Sequence, residues 1–282
     1  VLANYVTNIL LSIIIVEFIY RITKNKRIIQ LNLVCLISAL FLCLFSSIIE
    51  DMRLGVISLF FMGLAGIIIL ISSNKRMSRR AKTFFSLILL ILFTFPLLHN
   101  VKTDSRWLSL VETIPIAIDT VSSSYWKGDV KNKPKLDMPK LVNGEPVHHS
   151  NYLRIAWIVK GSKYIAKDIY GIGYGKNIFG HAIEKYENAE KSIRGMHSHS
   201  SIIDFTIGVG LIGLVIWLVF IGKTILSSFM LYLDTSNYFA LLSVFSISGF
   251  FIRSLVDSNM RDHMFKQFFL ILGIALTLSV YE

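Results

Sequence analysis

Gly195-Met196-His197-Ser198-His199-Ser200-Ser201-Ile202-Ile203-Asp204 leads into Phe205-Thr206-Ile207-Gly208-Val209-Gly210-Leu211-Ile212-Gly213-Leu214-Val215-Ile216-Trp217-Leu218-Val219-Phe220. The second half is close to the length of apolar helix that crosses a hydrocarbon core, about 20 residues. His199 therefore stands where a polar segment, residues 99–200, gives way to a membrane span. An ionisable side chain at such a border is costly to keep without a reason. Imidazole is also the side chain whose charge changes near neutral pH without help. The position points to acid/base chemistry at a lipid–water boundary.

Similar apolar blocks recur on both sides. The chain is 54% hydrophobic with a mean hydropathy of +0.61, too apolar and too blocky for a soluble all-α domain. Seven spans are expected, at 3–21, 29–48, 54–73, 83–98, 201–222, 236–252 and 265–281. The fold class is an all-α, polytopic transmembrane protein with a large periplasmic segment containing amphipathic helices. Four spans fill 1–98, a catalytic segment fills 99–200, and three spans fill 201–282 around a polar turn at 253–264. Val1 falls almost directly into a span, so earlier spans of a longer protein are expected to precede it.

Basic turns orient the spans. Arg21, Lys24, Lys26 and Arg27 lie between the first two, and Lys75, Arg76, Arg79, Arg80 and Lys82 between the third and fourth. Short Lys/Arg-rich turns stay in the cytoplasm. Alternation then sends 99–200 and 253–264 to the outer face, and leaves 223–235 as a cytoplasmic turn. The net charge of +11 reports orientation and contact with membrane lipids. The basic residues are not interleaved with aromatics for base stacking, so no nucleic-acid partner is expected. Cys35 and Cys43 share one apolar span and read as packing residues.

The outer side collects the chemistry: Arg53, Arg154, His197, His199, Arg253, Arg261 and His263. Residues 127–149 are polar and Lys/Pro-rich and read as irregular. A helix follows through Asn151–Val159, with Ser150 as its N-cap and Leu153, Ala156 and Trp157 as its apolar stripe. Arg154 on it either meets a lipid headgroup or snorkels from a packed helix to water. Gly171-Ile-Gly173-Tyr-Gly175-Lys176-Asn177 lacks the spacing and the Ser/Thr of a phosphate-binding loop, and reads as a tight turn using positive φ. His197 and His199, with His181, Glu184 or Asp204, match no strong zinc spacing. No metal and no cofactor is expected. Ser198 or Ser200 can cap the following helix, and Asp204 suits its first turns.

His199-Ser200, nine residues, then Gly210-x-x-Gly213 resembles the histidine motif of the O-antigen ligase family. Arg53 at the outer end of a span, Arg154 on an outer helix and the Arg253–His263 turn resemble further features of that family, within a superfamily that includes lipid-linked glycan polymerases and O-oligosaccharyltransferases. The resemblance spans essentially the whole chain. It implies a glycan donor on undecaprenyl diphosphate, a lipid A-core sugar hydroxyl as acceptor, and metal-independent, inverting glycosyl transfer in a bacterial inner membrane. It implies His199 as general base and Arg154 and Arg53 at the diphosphate. Arg253 and Arg261 on the last turn read as binding substrate or as bracing the site by ion pairs, and His197 as a substrate-binding candidate beside the default of an idle, exposed side chain. A transporter of lipid-linked glycan is the alternative of another class. Against it, no broken span carries charges at mid-depth, where a transport site often lies.

Overall fold

The computed structural model describes residues 2–49, 53–72, 78–119, 125–127, 138–189, 195–260 and 263–281. Among these residues the protein is helical. The elements are α1 (Leu2–Lys24), α2 (Leu33–Ile49), α3 (Arg53–Ser72), α4 (Arg79–Thr103), α5 (Arg106–Ile118), a 3-10 turn (Tyr125–Lys127), α6 (His149–Lys167), α7 (Ile178–Glu187), α8 (Ser201–Thr235), α9 (Tyr238–Ser254) and α10 (His263–Tyr281). Helices within α1, α3, α4, α8 and α10 are long and apolar enough to cross a membrane, whereas α2 and α9 contain shorter apolar helices. This is a multi-pass all-α membrane protein.

Several boundaries differ from the expected spans. α4 extends to Thr103, and α8 continues to Thr235 through the stretch 223–235 read as a turn. The reason is compositional. Lys223-Thr-Ile-Leu-Ser-Ser-Phe-Met-Leu-Tyr-Leu has no Gly or Pro to stop a helix, and Ser or Thr in a helix can bond back to the preceding turn, as Thr224 does to the carbonyl of Phe220. α6 begins at His149 without a side-chain cap, so Ser150 lies inside it instead of capping it. Residues 73–77, part of the second basic turn, lie outside the described residues, as do 128–137 of the Lys/Pro-rich stretch.

The chain divides into two compact units. The first comprises Val1–Thr103, Phe220–Arg253 and Lys266–Glu282; the second comprises Asp104–Val219 and Ser254–Phe265.

In the first unit Leu11, Ile15, Leu36, Leu59, Leu70, Phe93 and Phe245 form part of one apolar core. Gly63 on α3 allows close approach of α4, because a Cβ there would lie 2.6 Å from Phe93. Glu17 is fully buried in α1 and is neutralised one turn on by Arg21, with Nε to Oε1 at 2.7 Å. Arg21 also donates to the carbonyls of Ile29 and Leu31, which fastens the α1–α2 connection. A buried carboxylate without that partner would cost several kcal/mol, by the usual order of magnitude. Asn32, Ser78 and Asn237 accept hydrogen bonds from N–H groups in the first turns of α2, α4 and α9, satisfying donors that a helix start leaves open.

The second unit packs α6 and α7 around Tyr152, Trp157, Tyr164, Phe179 and Ile183. Gly161 on α6 faces Ile203 of α8, leaving no room for a side chain. Trp157 Nε1 donates to the carbonyl of Trp126 at 2.6 Å, and Lys160 lies over the Trp126 ring at 4.4 Å while bonding Glu187 at 3.0 Å.

Candidate active site

The border of α8 is built from two breaks in regular backbone. Ser200 accepts from the Ile203 N–H, and the Asp204 N–H bonds the Ser200 carbonyl as the first helical link. Asp204 then reaches back, accepting the Ser198 N–H at 3.0 Å. Ser198 and Asp204 are both buried, so these bonds pin the segment that carries His197 and His199. His199 itself takes φ +55°, a left-handed conformation uncommon outside glycine and costly enough to be held by its surroundings.

The second break is at Gly210, where φ is 74° and ψ 179° inside α8. A break in a membrane helix exposes backbone groups that must find partners in protein. Residues 169–173 provide them. Ile172 and Gly173 donate to the carbonyls of Ile207 and Gly208, and the Leu211 N–H donates to the carbonyl of Ile169. Gly171 and Gly210 make this approach possible. A Cβ on Gly171 would lie 2.5 Å from the Gly208 oxygen, and one on Gly210 would lie 2.5 Å from the Ile169 oxygen. Gly171 and Gly173 both have positive φ, as expected of a tight turn. Gly210 of the motif and Gly171 of the turn thus serve a loop-to-helix joint that follows His199 in sequence.

The joint holds a cluster of functional groups in the second unit. The His199 imidazole lies on the Trp157 indole, with centroids 5.3 Å apart and planes 6° apart. The His197 ring is 4.1 Å from that of His199, centroid to centroid. Trp157 is three residues after Arg154 on α6, so the two share a helix face. The turn after α9 closes the cluster. The Ser201 N–H donates to the Asp257 carbonyl, and Ser201 Oγ accepts the Met260 N–H, both at 2.9 Å. Ser258 Oγ lies 2.9 Å from His197 Nδ1 and 3.4 Å from Asp204 Oδ2. The His199 N–H, which can only donate, points at His197 Nδ1 at 3.3 Å. Nδ1 therefore faces both the His199 N–H and the Ser258 hydroxyl.

Arg154 is partly buried. Burial lowers its basicity, the negative charge of Asp257 opposes that effect, and Arg106 adds to it. An arginine remains charged nonetheless, and partial burial strengthens its pull on an anion. Tyr174 donates to the Met260 carbonyl at 2.7 Å. Its hydroxyl has a raised pKa because of burial and then Asp204.

The sequence-derived site residues separate as follows. His197, His199 and Arg154 belong to this unit, with Trp157, Asp257 and Ser258 as neighbours the sequence did not single out as site residues. Arg253 belongs to the first unit, buried in α9, where with Asn8, Ser12 and Ser246 it lines a cavity of about 20 Å³. Arg53 begins α3, with its side chain outside the described part. Arg261 lies outside the described residues. His181 pairs with Glu184 on α7, 4.0 Å from Nδ1 to Oε2, and no group of three potential metal ligands is gathered among the described residues.

Residues 38–218 match the family model described as O-antigen ligase. The chain belongs to the O-antigen ligase family. Membership implies glycosyl transfer of the ligase and polymerase type, with lipid-linked glycan substrates. No curated protein and no solved structure gives a significant match. Within this O-antigen ligase family member, the matched stretch includes Arg53, Arg154 and the whole His199–Gly213 motif.

Proposed function

We propose that the protein transfers O-antigen glycan from undecaprenyl diphosphate to a sugar hydroxyl of the lipid A core, at the periplasmic face of the bacterial inner membrane. The observation that carries this reading is the stacking of His199 on Trp157, one turn from Arg154, in a chain of the O-antigen ligase family.

As the donor's C1–O bond breaks, charge grows on the diphosphate. Arg154 grips its oxygens and stabilises that charge. The acceptor hydroxyl attacks C1 from the opposite side, inverting the anomeric centre. A neutral His199 accepts the hydroxyl proton, a contribution of roughly 10²–10⁴-fold for general-base catalysis. His197 offers a ring nitrogen for a hydrogen bond to the substrate. Arg261 binds substrate, and Arg253, buried in α9, supports that helix instead of touching substrate. The diphosphate is already a good leaving group, so the chemistry needs no metal and no cofactor.

Transfer by the protein reconstituted with lipid diphosphate-linked glycan tests this against its relatives. Core lipid A, a second lipid-linked glycan and a Ser-containing protein are offered in parallel as acceptors. Product on core lipid A supports the ligase; product only on the lipid-linked glycan makes the protein a polymerase, and product only on protein an O-oligosaccharyltransferase. Glycan movement across vesicles without any transfer replaces the enzyme with a transporter.

A further inference from the structure

We propose that α5 is a membrane-surface anchor, its outward face embedded at the lipid headgroup boundary. Leu108, Val111, Ile114 and Ile118 form one stripe at helical spacing and are 73%, 67%, 40% and 52% exposed. The opposite face is packed: Thr113 and Ala117 are fully buried. A solvated helix that hides its small residues and presents its branched ones has its apolar phase on the outside.

Lipid is the occupant that the chain path favours. α4 is a membrane-crossing helix whose apolar surface stays exposed as far as Leu98 and Val101. Asp104 and Ser105 alone separate it from α5. Two residues reach about 7 Å at most, so the stripe begins beside the bilayer face at which α4 ends. Lys102 flanks that start and suits anionic headgroups, whereas Arg106 is paired with Asp104. Within its own unit α8 also bears an exposed apolar run, including Ile212, Val215 and Ile216.

The anchor has a consequence for the site, which rests on the function proposed above. Asn151 Nδ2 at the start of α6 donates to the Arg106 carbonyl at 2.8 Å and lies 3.1 Å from Ser109 Oγ. α5 thereby sets the depth of α6, and holds Arg154 at the level of a lipid's phosphates.

The test uses the full chain with Cys35→Ser and Cys43→Ala, carrying one cysteine at a time from Leu108→Cys, Val111→Cys or, as a control on α6, the exposed Ser162→Cys. Each is labelled with bimane and reconstituted in vesicles of phosphatidylethanolamine and phosphatidylglycerol. Labels at 108 and 111 are expected to emit further to the blue than at 162, to be quenched by a nitroxide near the lipid headgroup and to lose iodide quenching. Equal iodide quenching at all three positions overturns the anchor. So does shielding at 108 and 111 that is insensitive to nitroxide lipid and vanishes on dilution in lipid, because a second copy then covers the face. Glycan transfer is not read, so loss of the proposed reaction leaves the result unaffected.

Discussion

The His199 imidazole is parallel to the Trp157 indole, 5.3 Å away, and this pairing fixes the direction in which the proposed base presents its nitrogen. Trp157 is itself held by its bond to the Trp126 carbonyl. Trp157→Phe keeps a ring beneath His199 and is expected to retain most activity. Trp157→Ala is expected to lower kcat by roughly tenfold or more, the equivalent of about 1.4 kcal/mol in the barrier, with a smaller effect on KM. It also removes a buried side chain, at a typical cost of about 3–5 kcal/mol. Thermal unfolding in detergent, beside steady-state transfer, separates the two effects.

The joint at Gly210 makes a graded prediction. Gly210 has backbone angles essentially reserved for glycine, and its missing Cβ makes room for the Ile169 carbonyl. Gly210→Ala and Gly171→Ala therefore combine strain of order 1–3 kcal/mol with a backbone clash. Gly173→Ala meets only the strain of φ +101°, because nothing lies within 4 Å of its Cβ position. Melting temperatures should fall furthest for Gly210 and Gly171, less for Gly173, and hardly for Gly175→Ala, which has neither problem.

Much of this arrangement was legible in the sequence. The apolar blocks announced a polytopic helical protein, and the Gly210/Gly213 spacing led to the family. Ser200 as cap and Asp204 near the helix start followed from the preference for such groups where N–H donors are open. The remainder depended on distant pairing. Ser258 is 61 positions from His197, and nothing local to either marks the contact. Trp157 read as part of an apolar stripe, which it is, since it packs on Phe179; its second role under His199 needs the fold. The exposed stripe of α5 lies in a segment expected to hold amphipathic helices, yet its own apolar spacing was not singled out, although it was there to be counted.

His197 is held by Ser258 and, through it, stands near Asp204. Ser258→Ala should free the ring and raise KM for the donor several-fold while leaving kcat closer to wild type, because His197 binds rather than takes the proton. Ser258→Thr keeps the hydroxyl and should restore KM. Equal losses in kcat for the alanine and threonine variants would assign the contact to folding alone.

Acid is expected to weaken the second unit through Glu187. Burial pushes its carboxyl pKa up, but Lys160, Lys127 and the Tyr164 hydroxyl outweigh that and hold it below the ordinary value. A folded pKa depressed in this way adds stability above the unfolded value, about 4.3, and that stability is lost as pH falls through the lower folded value. The pair is partly exposed, so the contribution is on the order of 1 kcal/mol or less. Melting temperature against pH should drop less steeply below about pH 4 for Glu187→Gln than for wild type.

The central claim is that His199 takes the acceptor proton. Single-turnover glycan transfer by purified His199→Gln protein, with folding verified by its melting temperature, measures this most directly. A loss of about 10²-fold or more is expected, with donor binding retained. Transfer at the wild-type rate would contradict it.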